Sequence, residues 1–167
     1  MSHFYRDRDE RGNPAELILL ELCRLRHISA SLNPAPEEDL AGRRAYDLLI
    51  ADVPVDVKAD WMSWQTGRIC VEAASLRHTS ASHFIYALPT PSGLYFHSFL
   101  VRDLIGLYNA KATVARQDGS FFERYTYDHK CVGDQRDNDA VLLPRDITEN
   151  IGEPFWKWAK NVEYQMR

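Results

Sequence analysis

The chain has 167 residues, 45% of them hydrophobic and 26% charged, which suits one globular domain with its own core and excludes low-complexity or collagen-like architectures. With 20 Lys and Arg against 24 Asp and Glu the net charge is −4, so the basic surplus that usually drives phosphate binding is absent from the chain as a whole. No run approaches the ~20 apolar residues of a spanning helix, and Cys23, Cys70 and Cys131 form no C-x-x-C pair, which argues against a membrane span, a disulfide framework and a structural zinc site, and for a cytoplasmic protein.

Residues 1–12 are charged, poor in apolar groups and unlike a signal peptide, and are expected to form a flexible N-terminal arm ahead of a single domain over 13–167. Asn13-Pro14 reads as an N-cap followed by proline at the first helical position, with Glu16 at capping-box spacing. The helix is expected to run to about Ser31, where Asn33-Pro34-Ala35-Pro36 stops it; residues 37–44 are polar. From 45 to 98 the pattern changes to strands: AYDLLIA is a short buried-type run, VPVDVKA and RICVEAA alternate at period two, and HFIYAL and LYFHSF flank the turn Pro89-Thr90-Pro91-Ser92-Gly93. LVRDLIGLYNA reads as a helix, Gln117-Asp118-Gly119 and Gly133-Asp134 as turns, AVLLPR as a strand, and EPFWKWAKNV as a terminal helix.

The chemistry concentrates in VPVDVKA. Val53, Val55 and Val57 take one strand face, and Asp56 and Lys58 stand side by side on the other. Such a pair suits phosphodiester hydrolysis, in which a carboxylate holds a divalent cation and an ammonium orients the attacking water and stabilises charge on the phosphate. Asp47 lies on the preceding, otherwise apolar strand, where an ionised group requires a partner or a metal; the alternative is pairing with Arg43 or Arg44. If Trp61 to Gly67 closes a hairpin, Asp60 pairs with Arg68 and Asp56 stands opposite Glu72, making Glu72 a further metal ligand; the alternative is an ion pair between Glu72 and Lys58. On the first helix, Leu17, Ile18, Leu22, Leu25 and Ile28 form an apolar sector that contains Glu21, which is therefore expected to face the site, whereas Glu16 is explained by capping; the alternative is that Glu21 turns outward to Arg24.

A helix with an inward Glu, a strand with Asp and a strand with D-x-K resemble, in that order, the PD-(D/E)XK nuclease superfamily, and within it the small phage and bacterial nucleases of Holliday-junction-resolvase type. The likeness extends to a T-G-N-like turn at Thr66-Gly67-Arg68, the strand Ile69 to Glu72, a T-x-A-D-Y-W-like segment at Thr79-Ser80-Ala81-Ser82-His83-Phe84, and a G-D…L-V-P-like segment at Gly133-Asp134 and Leu142-Leu143-Pro144. It implies an α/β fold with a restriction-endonuclease-like core, a central mixed β-sheet flanked by helices. It also implies a metal-dependent endonuclease hydrolysing DNA, duplex or branched, with Mg²⁺ or Mn²⁺. By position Asp47, Asp56 and the Val57 carbonyl would be metal ligands, Lys58 the catalytic lysine and Glu21 the helix acid. Two features depart from the pattern: the family's first strand is not visible in 33–44, and His83-Phe84 replace an acidic-aromatic pair.

Trp61 and Trp64, with Arg68, follow the catalytic strand and are candidates for DNA contact by stacking or wedging; the alternative is that both tryptophans fold back onto the core. His78 and His83 lack the further ligands of a zinc site, and His129 and Cys131 lack a base and orienting acid. No G-x-x-x-x-G-K-[ST] is present, so no nucleotide cofactor is expected. A homodimer is a compatible assembly. The competing reading is a nuclease-fold module of a phage or mobile element that has no catalysis and serves interaction or structure, which the acidic charge favours.

Overall fold

The computed structural model describes residues 13–33, 46–118 and 140–165. The expected N-terminal arm, Arg43 and Arg44, His129, Cys131 and Gly133-Asp134 fall outside the described residues. In chain order the elements are α1 (Asn13–Leu25), β1 (Ala30–Leu32), β2 (Leu48–Ile50), β3 (Val53–Ala59), α2 (Ser63–Thr66), β4 (Arg68–Glu72), α3 (Ala73–His78), β5 (His83–Thr90), β6 (Gly93–Leu100), α4 (Val101–Asp118), β7 (Ala140–Pro144), α5 (Arg145–Glu149), β8 (Glu153–Pro154) and α6 (Phe155–Gln165).

The protein is α/β with a mixed central sheet of six strands, ordered β1-β2-β3-β5-β6-β8; β3 and β5 run parallel and the other neighbours antiparallel. The parallel pair forces a crossover, and α2, β4 and α3 supply it. Period-two alternation then divides the apolar residues between two faces. On one face Leu48, Ile50, Val55, Val57, Ile85, Ala87 and Phe96 pack under α1 (Ala15, Leu19, Cys23) and α6 (Phe155, Trp158, Ala159). On the other, Phe84, Tyr86, Leu88 and Phe99 meet Ile69 and Val71 of β4, Leu143 of β7, Leu76 of α3 and Leu104 of α4. Among the described residues no helix is long and apolar enough to cross a membrane.

Three expectations need correction. First, α1 ends at Leu25 rather than near Ser31. The His27 N–H donates to the Arg24 carbonyl and the Ile28 N–H to the Cys23 carbonyl, while His27 takes a left-handed φ of 57°. This is a Schellman ending built without glycine, sealed by burial of Cys23 and Ile28 in one cluster. The early stop frees Ala30–Leu32 to pair antiparallel with Leu48–Ile50. Second, β3 and β4 form no hairpin: β4 leaves the central sheet and pairs antiparallel with β7, Glu72 opposite Ala140. Third, α4 continues through Gln117 and Asp118, where a turn is expected.

One close contact is testable in isolation. A Cβ on Gly152 would fall on the buried Ser98 carbonyl oxygen and against the Phe99 ring. Neither can retreat, since Phe99 packs in the core. Gly152→Ala is expected to destabilise by about 1–3 kcal/mol, read as a lower denaturant midpoint with an unchanged slope. A midpoint equal to wild type would contradict this packing.

Candidate functional site

The β2–β3 hairpin builds the site. Leu48 pairs with Val55 and Ile50 with Val53, and Ala51 and Asp52, both with positive φ, close the two-residue turn. Leu48, Ile50, Val55 and Val57 point into the α1/α6 core, so Asp56 and Lys58 take the opposite face of β3, and Asp47 directly precedes β2 at a bend in the chain. The Asp47 N–H donates to the Val55 carbonyl at 2.8 Å and the Asp47 carbonyl accepts from the Asn33 N–H at 2.8 Å, so Asp47 is held between β1 and β3 just before β2.

The Asp47 and Asp56 carboxyl groups lie close enough for each to act on the other. Burial first, then the charge and hydrogen bond of Asp56, and then the charge of Glu16 push Asp47 well above the ordinary carboxylate range, with Lys58 opposing. The Val57 N–H donates to Asp47 Oδ2 at 2.8 Å. In a strand the carbonyl of a residue points to the same edge as its N–H, so the Val57 carbonyl is on the Asp47 side of β3. Lys58 Nζ lies 2.8 Å from Asp56 Oδ1, with the two side chains 29% and 14% exposed. It also lies 5.0 Å from the centre of the Phe84 ring. Burial pulls the Lys58 ammonium down, but Asp56, Asp47 and Glu72 outweigh it and hold it above its ordinary value, firmly charged.

Beyond Lys58 opens a cavity of about 140 Å³ between Lys58, Asp60, Cys70, Glu72, Ser75 and Tyr86. Glu72 reaches it from β4, outside the register expected for it, and accepts a hydrogen bond from Ser75 Oγ at 3.2 Å. It lies on the lysine side of the site and not across the sheet from Asp56. Asp60 accepts from the Cys70 N–H at 2.8 Å instead of pairing with Arg68, and Tyr86 donates to the Cys70 carbonyl at 3.0 Å. Burial, with Glu72 and Asp60 nearby, pushes the Cys70 thiol up to about 12, which makes it no nucleophile.

Helix α1 turns the other way from the expected face. Glu21 projects into solvent and accepts from Nε and Nη2 of Arg24, at 2.8 and 2.5 Å. Ala15, Leu19 and Cys23 are buried, whereas Leu17, Ile18 and Leu25 are exposed. Glu16 flanks the buried stripe, one turn before Leu20, and its charge acts on Asp47. The helix acid nearest the site is therefore Glu16. Its capping-box position concealed it, and the small buried Ala15 and Cys23 were the signal that marked its face.

Of the residues after β3, Trp61 is half-buried with its indole N–H shielded, and Trp64 and Arg68 are exposed. His83 stacks on Trp158 at 5.0 Å and bonds Ser82 Oγ at 2.9 Å, and burial lowers its pKa; this is a packing role.

No protein-family model and no curated protein matches the chain. Among solved structures, the fold is similar to that of a bacterial homing endonuclease, I-Ssp6803I, with a TM-score of 0.50 at 16% identity. The likeness covers 93% of this chain and 94% of that one, so it extends across the whole architecture and supports a nuclease-type fold.

Proposed function

We propose that the chain is a metal-dependent deoxyribonuclease of the PD-(D/E)XK type, an endonuclease centred on Asp47, Asp56 and Lys58. The observation that carries this reading is the convergence on β3 of the Asp47 carboxylate, which accepts from the Val57 N–H at 2.8 Å, with Asp56 and the Lys58 ammonium 2.8 Å from it. Two carboxylates this close repel as anions, which burial compounds at Asp47 and the Lys58 ammonium opposes, and a divalent cation would relieve that repulsion.

The donor set fits a hard divalent cation. Among the described residues no three His, Cys, Asp or Glu side chains surround one point, so Asp47 and Asp56 would hold Mg²⁺ or Mn²⁺ with the Val57 carbonyl and with water or phosphate oxygens. Mg²⁺ commonly keeps such partial protein ligation. When bound, the cation would supply Lewis-acid polarisation of the phosphate and a lowered pKa for the attacking water. Lys58, fixed in its charged form, orients that water and donates to the phosphate oxygens as charge develops there. Phe84 beneath it and the carboxylates around it restrict where it can point. Glu16 stands behind Asp47 as a positioning acid. The likeness to a homing endonuclease supports DNA as the substrate.

Glu16→Gln is expected to lower single-turnover cleavage by about tenfold or more, the usual cost of losing a group behind a metal ligand. Glu21→Gln should leave the rate unchanged, because Glu21 is half exposed on the outer face of α1 and pairs there with Arg24; equal losses in both variants would refute this placement.

The acidic net charge of −4 favours the second reading, a nuclease-fold interaction module without catalysis. A cleavage panel of linear, nicked, branched and single-stranded DNA with Mg²⁺, Mn²⁺ or EDTA separates them: metal-dependent cutting of any member supports the nuclease, and intact substrates throughout support the module.

A further inference from the structure

The turn that leaves β3 presents two large apolar side chains to solvent, Met62 at 50% and Trp64 at 54% exposure. Their neighbours anchor them: Ser63 is fully buried, and Trp61 is half-buried with its indole N–H shielded. The backbone between is tied down at every step. The Gln65 and Thr66 N–H groups and the Thr66 hydroxyl all donate to the Met62 carbonyl at 3.0 Å, and the Gly67 N–H donates to Ser63 at 2.9 Å. Gly67, at φ 63°, ends the turn in the left-handed region, and its carbonyl accepts from the Arg145 N–H at 2.9 Å. At the other end, Asp60 lines the cavity beside Lys58; its carboxylate accepts from the Cys70 N–H at 2.8 Å and its backbone carbonyl from the Ser63 N–H at 3.2 Å. The turn thus begins at the wall of the cavity next to the lysine and holds a tryptophan outward on a backbone with little freedom. Exposed Arg68 follows directly.

We propose that Met62 and Trp64 form a stacking platform for unpaired nucleobases next to the scissile phosphate, so that this site takes DNA whose bases are unstacked near the cut. The proposal rests on the nuclease reading above and names its substrate class. A rigid, outward aromatic is the feature that binds single-stranded segments without sequence preference, because every base offers a π-face. Its position, a few residues along the chain from Lys58, brings such bases alongside the reacting phosphate. A packing role would turn Trp64 inward as it does Trp61.

The test uses the full chain in EDTA with three fluorescein-labelled DNAs: a short single strand, its blunt duplex, and the duplex with an unpaired internal loop. Trp64→Ala is expected to weaken binding of the single strand and the looped duplex by roughly ten- to a hundredfold, with the blunt duplex nearly unchanged, and Trp64→Phe should restore most of the loss. Cleavage in Mg²⁺ should move with affinity and leave the saturated rate close to wild type. Wild type that binds and cleaves DNA while Trp64→Ala matches it on every substrate overturns the platform alone. Wild type that binds none of the three DNAs overturns the platform together with the nuclease reading. Self-association of wild type that Trp64→Ala abolishes, seen by sedimentation, would assign the surface to a second copy of the chain and overturn the proposal.

Discussion

Lys58→Ala is expected to lower single-turnover DNA cleavage by about 10²- to 10³-fold, the range for removing one donor aimed at developing charge. The cause is local. The ammonium sits 2.8 Å from Asp56 and above the Phe84 ring, and the carboxylates around it keep it protonated throughout the neutral range. Removing it takes away both the orienting charge and the only cation seen to pair with Asp56 among the described residues. Metal affinity should stay the same or rise slightly, because a competing positive charge has gone. Mn²⁺ binding measured beside cleavage separates the two effects: a rate within a few-fold of wild type would remove Lys58 from the chemistry.

Asp47→Asn carries the second large effect, and its sign differs between activity and stability. Cleavage should fall by about 10²-fold or more, since an amide is a poor ligand for a hard cation that the pair of carboxylates is suited to hold. The metal-free protein should become more stable at neutral pH. Asp47 is pushed up by burial and then by Asp56, so the folded chain holds a proton there that the unfolded chain releases at ordinary carboxylate pH. A raised pKa in the folded state gives stability that is full below the ordinary carboxylate value and is lost as pH rises through the folded value. Asparagine removes that loss and still offers an oxygen to the Val57 N–H. In EDTA the variant should therefore melt above wild type at pH 7, and the gap should close as pH falls below the ordinary carboxylate range. Wild type that is the more stable of the two at pH 7 in EDTA would mean that the Asp47–Asp56 pair is not strained.

The centre of the site was legible in the sequence because it is local. Period two in VPVDVKA sets Asp56 and Lys58 on one face of β3, and the two-residue turn brings the charged residue before Leu48-Leu49-Ile50 back alongside that strand, where it bonds the Val57 N–H. What was not legible depends on distant partners. RICVEAA reads as a strand and is one, but nothing in it names β7 as its neighbour, and a hairpin onto β3 satisfies the same alternation. Glu72 still reaches the lysine, by a route the sequence does not show. In α1 the run LILLEL is apolar on nearly every side, so the largest side chains mark no face. The contact with the sheet is made by Ala15, Leu19 and Cys23, and small residues in a contact stripe carry little weight in an apolar pattern. The helix end was hidden for a related reason: His27 occupies a left-handed position that a sequence reading reserves for glycine.

The most direct test of the account is a calorimetric titration of Mn²⁺ into wild type, Asp56→Asn and Lys58→Ala, with each protein's cleavage of a DNA substrate followed in parallel. Wild type and Lys58→Ala are expected to bind the ion and Asp56→Asn is not, and wild type alone should cleave at full rate. Wild type that takes up no ion, with DNA present or absent, or Asp56→Asn that binds and cleaves as wild type does, would contradict it.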